Sequence, residues 1–247
     1  MNVVVYGYGL MGKKVVNAIN AHESLNLVGI ISPMFDEEIK DNMFHSLEEC
    51  KERVDAIIDF SHPNNLNEIL EYGIQNKCAL VIATTGYNEA QLEKIKEASK
   101  YIPIFQSYNT SFGISMLTKI VKEVAREFYD NGYDIEIVEK HHNRKIDAPS
   151  GTAKLLYDVV NEENEDVYPV YERQTRHQRR ERNEVGISSV RAGTIFGEHS
   201  VIFAGHDEVI EVSHMALSKE VFVQGALSAC LKLADKENGL FTLKNLY

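Results

Sequence analysis

Over its first 110 residues the chain alternates short, continuously apolar runs with stretches of helical periodicity, the pattern of βαβ units feeding a parallel sheet. The runs at Val3–Tyr6, Leu25–Ile31, Ala56–Phe60, Ala79–Ala83 and Ile102–Phe105 are too apolar to alternate. That suits strands covered by helices on both faces. Val15, Val16 and Ile19 share one helical face after the first run, and Leu92 and Ile95 share another within Gln91–Lys100. The expected architecture is α/β, with a Rossmann-like domain over residues 1–111. After Phe112 the pattern changes to an amphipathic helix over Met116–Tyr129, a strand at Ile135–Val138, and β-rich runs at Ile187–Val190, Ser200–Phe203 and Val209–Val212. These predict a second, smaller α+β domain over residues 112–219, with a mixed or antiparallel sheet carrying few helices. Val221–Leu233 returns to helical spacing, so residues 220–247 are expected to complete the first domain.

At 247 residues, 44% hydrophobic and 26% charged, the chain can bury a full core. No apolar run has the length of a bilayer span, and the N-terminus lacks the basic and apolar regions of a secretory signal, so a cytoplasmic location is expected. Cys50, Cys78 and Cys230 are odd in number and lie far apart, without metal-ligand spacing; reduced structural thiols are expected. A net charge of −11 opposes binding to nucleic acid or an anionic membrane. Arg173, Arg176, Arg179, Arg180 and Arg182 depart from that balance. They fit a solvated loop better than a positive wall facing an acidic substrate, and a nucleic-acid patch least of all.

Gly7, Gly9 and Gly12 form G-x-G-x-x-G directly after the first strand and before the first helix. There a backbone approaches a pyrophosphate closely, and the helix presents free N–H groups and a positive dipole end. Dinucleotide binding is therefore expected. The position that selects NADH or NADPH, at the end of the second strand, holds Ser32 and Pro33, neither an acid nor a cation. Lys13 and Lys14 can reach a 2′-phosphate or stand as solvated lysines. The reading is use of either NADH or NADPH.

The stretch Glu139–Ala153 concentrates two imidazoles, three cations and carboxylates after a strand, then opens a helix. Pro149 disfavours helical backbone at Ala148, so Ser150 is placed to cap the helix, and the N–H groups of Gly151 and Thr152 are expected to hold a carboxylate. His141, His142 and Lys145 set proton-shuttling groups beside a cation, as a reductase needs when hydride addition leaves charge to be protonated. A lone histidine or lysine here is more often a loop hydrogen-bonder or a surface charge. No third ligand accompanies the two histidines, so no metal is expected.

At these residues the chain resembles the dihydrodipicolinate reductase family, whose signature E-x-H-H-x-x-K-x-D-A-P-S-G-T-A is met by Glu139–Ala153. Asp59-Phe60-Ser61, Thr84-Thr85-Gly86, Asn109–Gly113, Ser189–Gly193 and Gly197-Glu198-His199 are similar as well, in the family's order along essentially the whole chain. The resemblance implies a cytoplasmic homotetramer reducing a small cyclic dicarboxylate to tetrahydrodipicolinate in lysine and diaminopimelate biosynthesis. It implies His141 as proton donor or acceptor, Lys145 as proton donor, and His142, Ser150, Gly151 and Thr152 about the substrate. The cofactor would lie along Gly7, Tyr8, Gly9, Leu10, Met11, Gly12 and Lys13, with Ser32, Ala83, Thr84, Thr85, Ser107, Tyr108, Asn109 and Thr110. The chain departs from the family in a glycine loop one residue shorter, in Ala83 for a glycine, in Thr110 for an apolar or aromatic residue, and in Ser32 for an acid. Two other readings compete. A semialdehyde-type dehydrogenase needs a nucleophilic cysteine, and a noncatalytic NAD(P)-binding sensor has no use for His141, His142 and Lys145 beside a helix N-terminus.

Overall fold

The computed structural model describes residues 1–35, 38 and 40–247. Along the chain run β1 (Asn2–Tyr6), α1 (Leu10–Asn20), β2 (Asn26–Ile31), β3 (Met43–Phe44), β4 (Ala56–Asp59), α2 (Leu66–Asn76), β5 (Ala79–Ile82), α3 (Glu89–Ala98) and β6 (Pro103–Gln106). There follow α4 (Phe112–Asp130), β7 (Asp134–His141), α5 (Gly151–Glu163), β8 (Tyr168–Val170), β9 (Glu184–Arg191), β10 (Gly197–Ala204), β11 (Val209–Ala216), α6 (Glu220–Leu233) and β12 (Gly239–Phe241). The chain divides into two compact units, residues 1–111 with 220–247, and residues 112–219.

In the first unit the described residues form a seven-stranded sheet, ordered β12-β6-β5-β4-β1-β2-β3, in which every neighbouring pair is parallel. The apolar strands β4 and β5 are buried along their whole length, as a sheet covered on both faces requires. From β1 the chain steps outward to β2 and β3, then returns to the other side of β1 with β4. The order thus reverses between β1 and β4, and the carboxyl ends of those two strands flank the place where such sheets bind ligands. Helix α6 packs on α1 and on β4, β5 and β6.

Three elements of this unit were not expected. Helix α2 buries Leu66, Ile69, Leu70 and Gly73. The last is a glycine because a β-carbon there would come within 3.0 Å of the Ile102 side chain and 3.1 Å of Leu80, so the apolar stripe has a gap in its pattern. Strands β3 and β12 are two and three residues long, too short to show a period.

The second unit holds a five-stranded mixed sheet, ordered β11-β10-β7-β9-β8, with β7–β9 and β8–β9 parallel and the β10 pairings antiparallel. Helices α4 and α5 pack on each other and on β7. Strand β7 runs three residues beyond its expected end at Val138, so Glu139, Lys140 and His141 are sheet residues and not loop. Its burial alternates strictly, which puts Ile135, Ile137, Glu139 and His141 on one buried face.

The arginine run lies in a largely exposed loop, as expected, but three of its arginines are held by acids of the sheet. Arg173 reaches Glu136 at 2.7 Å and Glu184 at 2.6 Å, Arg176 reaches Glu184 at 2.9 Å, and Arg180 bonds Asp134 at 2.6 Å and Glu136 at 3.1 Å. Glu184 is buried at the start of β9, and a carboxylate so placed needs cations around it. The acids that recruit these arginines come from the first residues of β7 and β9, remote in sequence.

Candidate active site

In the first unit the expected cofactor residues cluster at the carboxyl ends of the parallel strands. The Gly7 N–H donates to the Ile31 carbonyl at 2.7 Å, and the residue has φ +97°. A β-carbon on Gly7 would lie 2.5 Å from the Phe60 carbonyl oxygen, and one on Gly12 would lie 1.8 Å from the Gly7 carbonyl oxygen. The loop therefore closes only with glycine at both places. Beside Gly9 there is open space, and no side chain caps α1. A backbone cradle at a helix start with room for a diphosphate is the shape a dinucleotide requires. Leu10 and Tyr8 stand at its rim, with the Lys13 Nζ 5.0 Å from the centroid of the Tyr8 ring.

The neighbouring loops are held by short-range bonds. The Ser61 N–H donates to Asp59 at 3.0 Å and to the Thr84 hydroxyl at 2.8 Å, and Tyr87 donates to Asp59 at 3.2 Å. Burial pushes the Asp59 carboxyl above its ordinary range, against the bonds from Ser61, Thr84 and Tyr87 that pull it down. The Asn109 N–H donates to the Ser107 hydroxyl at 3.2 Å, and Thr110 is buried with its hydroxyl on the Phe222 carbonyl. Ser32 gives its hydroxyl to the Met34 carbonyl and its N–H to Phe44 at 3.1 Å, while Lys14 pairs with Glu220.

In the second unit the register of β7 brings the polar residues together. Glu139 faces Ser189 on β9 and His199 on β10, and His141 faces Arg191. The Glu139 side chain is 0% exposed, yet it is ringed by donors. Its Oε2 lies 2.6 Å from His141 Nδ1 and 2.8 Å from Arg191 Nη1, and its Oε1 accepts from Arg191 Nη2 at 2.7 Å and from the Ser150 N–H at 3.1 Å. Burial alone would raise this carboxyl, but Arg191, His141, Ser189 and Ser150 together hold it down at about 2. Burial lowers His141 below its ordinary value, with Glu139 opposing. The His199 ring lies edge-on to His141 with centroids 5.1 Å apart, and its Nε2 is 3.0 Å from the Ser150 hydroxyl. Burial, then His141, pushes His199 down to about 3, so it is neutral at any ordinary pH.

Ser150 caps α5, its hydroxyl accepting from the Ala153 N–H at 3.2 Å. It is buried, and Gly151 beside it is exposed with open space at its α-carbon. Lys145 sits in the turn after β7, its N–H on the His142 carbonyl at 3.1 Å and its ammonium 2.8 Å from Asp147, whose carboxyl it holds below the usual range. The buried Nδ1 of His142 has no hydrogen-bond partner among the described residues. The second unit thus gathers His141, His142, Lys145, Ser150 and Gly151, with Thr152 in the first turn of α5. Glu139, Arg191 and His199 join them without having been singled out. For Glu139 the signal was its place two residues before His141, a spacing that in a strand puts both on one face.

The shared runs of residues have a counterpart in known proteins. The dihydrodipicolinate reductase N-terminal family model matches residues 1–110, and the C-terminal model matches residues 113–247. The chain belongs to the dihydrodipicolinate reductase family. Members named 4-hydroxy-tetrahydrodipicolinate reductase include one from Exiguobacterium sibiricum, 49% identical over 100% of this chain and 96% of its own length. Another, from Clostridium novyi, is 44% identical over 96% of this chain and 94% of its own. A solved dipicolinate-bound dihydrodipicolinate reductase from Paenisporosarcina sp. TG-14 has the same fold, with TM-score 0.83 and 22% identity over 100% of this chain and 99% of that one. A probable dehydrogenase from Thermotoga maritima, at TM-score 0.62 and 13% identity over 100% and 92%, marks the wider fold. Membership makes the chain an oxidoreductase that works with a nicotinamide nucleotide. Among the described residues no helix is long and apolar enough to cross a membrane, and no group of three His, Cys, Asp or Glu side chains can hold a metal ion.

Proposed function

We propose that this chain reduces 4-hydroxy-tetrahydrodipicolinate to tetrahydrodipicolinate with NADH or NADPH, taking up one proton and releasing the 4-hydroxyl as water, as a step of lysine and diaminopimelate biosynthesis. The observation that carries the reading is the second unit's assembly of an imidazole, a lysine and an open helix start around one buried carboxylate. Residues 1–111 with 220–247 hold the dinucleotide, whose diphosphate lies against Gly7, Gly9 and Gly12. When bound, the dihydronicotinamide supplies a hydride. Residues 112–219 take the dicarboxylate. His142 and the first turn of α5 at Gly151 and Thr152 receive a carboxylate, with Ser150 fixing that turn from behind, since its hydroxyl is already shared by Ala153 and His199. Lys145 leaves Asp147 for the substrate's negative charge and delivers the proton that completes reduction, while His141 exchanges protons at its outer nitrogen.

Neither nucleotide is excluded, because Ser32 spends its hydroxyl on Met34 and offers neither an acid for a ribose nor a cation for a phosphate. The same reading makes the protein a cytoplasmic homotetramer. The exposed Val209, Ile210 and Met215 on the edge strand β11 support self-association through residues 112–219.

The test follows nucleotide absorbance while a synthase generates the substrate in the cuvette, with NADH and NADPH run separately. Rapid oxidation that needs this protein is expected with both. No oxidation by folded protein that still binds nucleotide would point to a different substrate on the same fold.

A further inference from the structure

The buried carboxylate of Glu139 does not point toward solvent, where a substrate would arrive. Its close contacts are donors from this chain: His141 Nδ1 at 2.6 Å, Arg191 at 2.7 and 2.8 Å, the Ser150 N–H at 3.1 Å, and the Ser189 side chain. An ionised carboxylate only accepts, so the hydrogen between Glu139 and His141 belongs to Nδ1. The alternative, a protonated Glu139 donating to the ring, is opposed by a guanidinium that never loses its charge. Arg191 also donates to the Asp147 carbonyl at 2.6 Å, which ties the turn bearing Lys145 to the same carboxylate. The groups facing His141 are therefore Glu139 from β7, Arg191 from β9, His199 from β10, and Lys145 with Asp147 from the turn. On the other side of the ring, Nε2 bonds no described residue, and a β-carbon on Gly197 would stand 3.1 Å from it. Glycine at 197 keeps that approach open.

We propose that Glu139, clamped by Arg191, is the positioning residue that fixes His141 as its Nδ1–H tautomer and leaves Nε2 as the nitrogen exchanging protons with substrate. The proposal deepens the reaction assigned above and rests on it for its kinetic part. The proton on Nδ1 stays in the bond to Glu139 throughout, and only the proton at Nε2 is passed on. In the resting protein the imidazole is neutral, so Nε2 begins as an acceptor.

Long-range ¹H–¹⁵N correlation spectra of the wild-type protein, without substrate or nucleotide, read the tautomer directly. A proton on Nδ1 and a bare Nε2 at pH 7.5 is the expected result, and a proton on Nε2 overturns the proposal whatever reaction the enzyme catalyses. In Glu139→Gln, kcat should fall at least ~10-fold. The limb of the pH profile due to His141 should move to lower pH, because the carboxylate that supports its protonated form is gone. KM should stay within about threefold, since the carboxylate touches no substrate, and Glu139→Asp should recover part of kcat by restoring the charge. An unchanged kcat and pH profile in folded Glu139→Gln would overturn the proposal; should that variant not fold, the wild-type spectrum alone decides.

Discussion

Each residue of the site answers to a different test. Lys145 is half-free of its neighbours, paired to a single exposed carboxylate, so Lys145→Ala should fold normally and bind nucleotide normally. Its turnover should drop by ~10²–10⁴-fold, the usual contribution of a positioned acid, as measured by steady-state nucleotide oxidation. Gly9 has nothing within 4 Å of where a β-carbon would stand, so Gly9→Ala should leave the melting temperature within about 1 °C of wild type, as for other surface changes. Fluorescence titration should nevertheless show weaker nucleotide binding, because the added methyl occupies the space reserved for the diphosphate. Equal affinity in that variant would remove the loop from the nucleotide site. His141, His142 and Lys145 were legible in the sequence because scarce residue types crowd into five positions. Arg191 was not, since it lies 52 positions from Glu139 and meets it only through the parallel pairing of β7 with β9. The ion pairs of the loop arginines were missed for the same reason, their acids being on strands whose register no local pattern discloses.

At the scale of elements, periodicity was legible wherever an element is long and its buried face unbroken. Strands β1, β4 and β5 and helices α1, α4 and α6 follow from runs of apolar side chains, whereas α2 hid behind Gly73, and β3 and β12 owe their existence to a neighbouring strand. The start of α5 was readable for a chemical reason, namely a cap residue immediately after a proline. Ser150→Ala removes both the bond from Ala153 and the bond to His199. Loss of the cap should cost ~1 kcal/mol in urea denaturation. It should also raise KM more than it lowers kcat, because the turn at Gly151 and Thr152 loosens while Lys145 and His141 stay in place. A variant with wild-type stability would show that the cap carries no load in this helix.

Across the whole molecule, three histidines of the second unit, His141 and His199 buried and His214 half-buried, set an acid limit on stability. Burial lowers His141, His199 and His214, so the folded protein leaves them neutral where the unfolded chain, near the ordinary 6.5, takes up protons. Stability is therefore present above about pH 6.5 and is lost as the pH falls, for His199 down to about 3. Glu139 adds to the loss below its ordinary 4.5, while Asp59, pushed up by burial, acts in the opposite sense. Stability from urea denaturation should fall between pH 7 and pH 5, by about 1 kcal/mol per pH unit for His199, with His141 and His214 acting in the same direction, and His199→Asn should flatten that slope. A midpoint independent of pH would contradict the burial of neutral imidazoles. The division of the chain carries a last consequence, for the order of assembly. The first unit opens with residues 1–111 but includes α6 and the edge strand β12 from residues 220–247, while the second unit, residues 112–219, is one unbroken stretch. On a ribosome the inserted stretch has its whole sequence available before its host does. The half of the enzyme started first must wait, incomplete along one edge of its sheet, until the other half has already had its chance to fold.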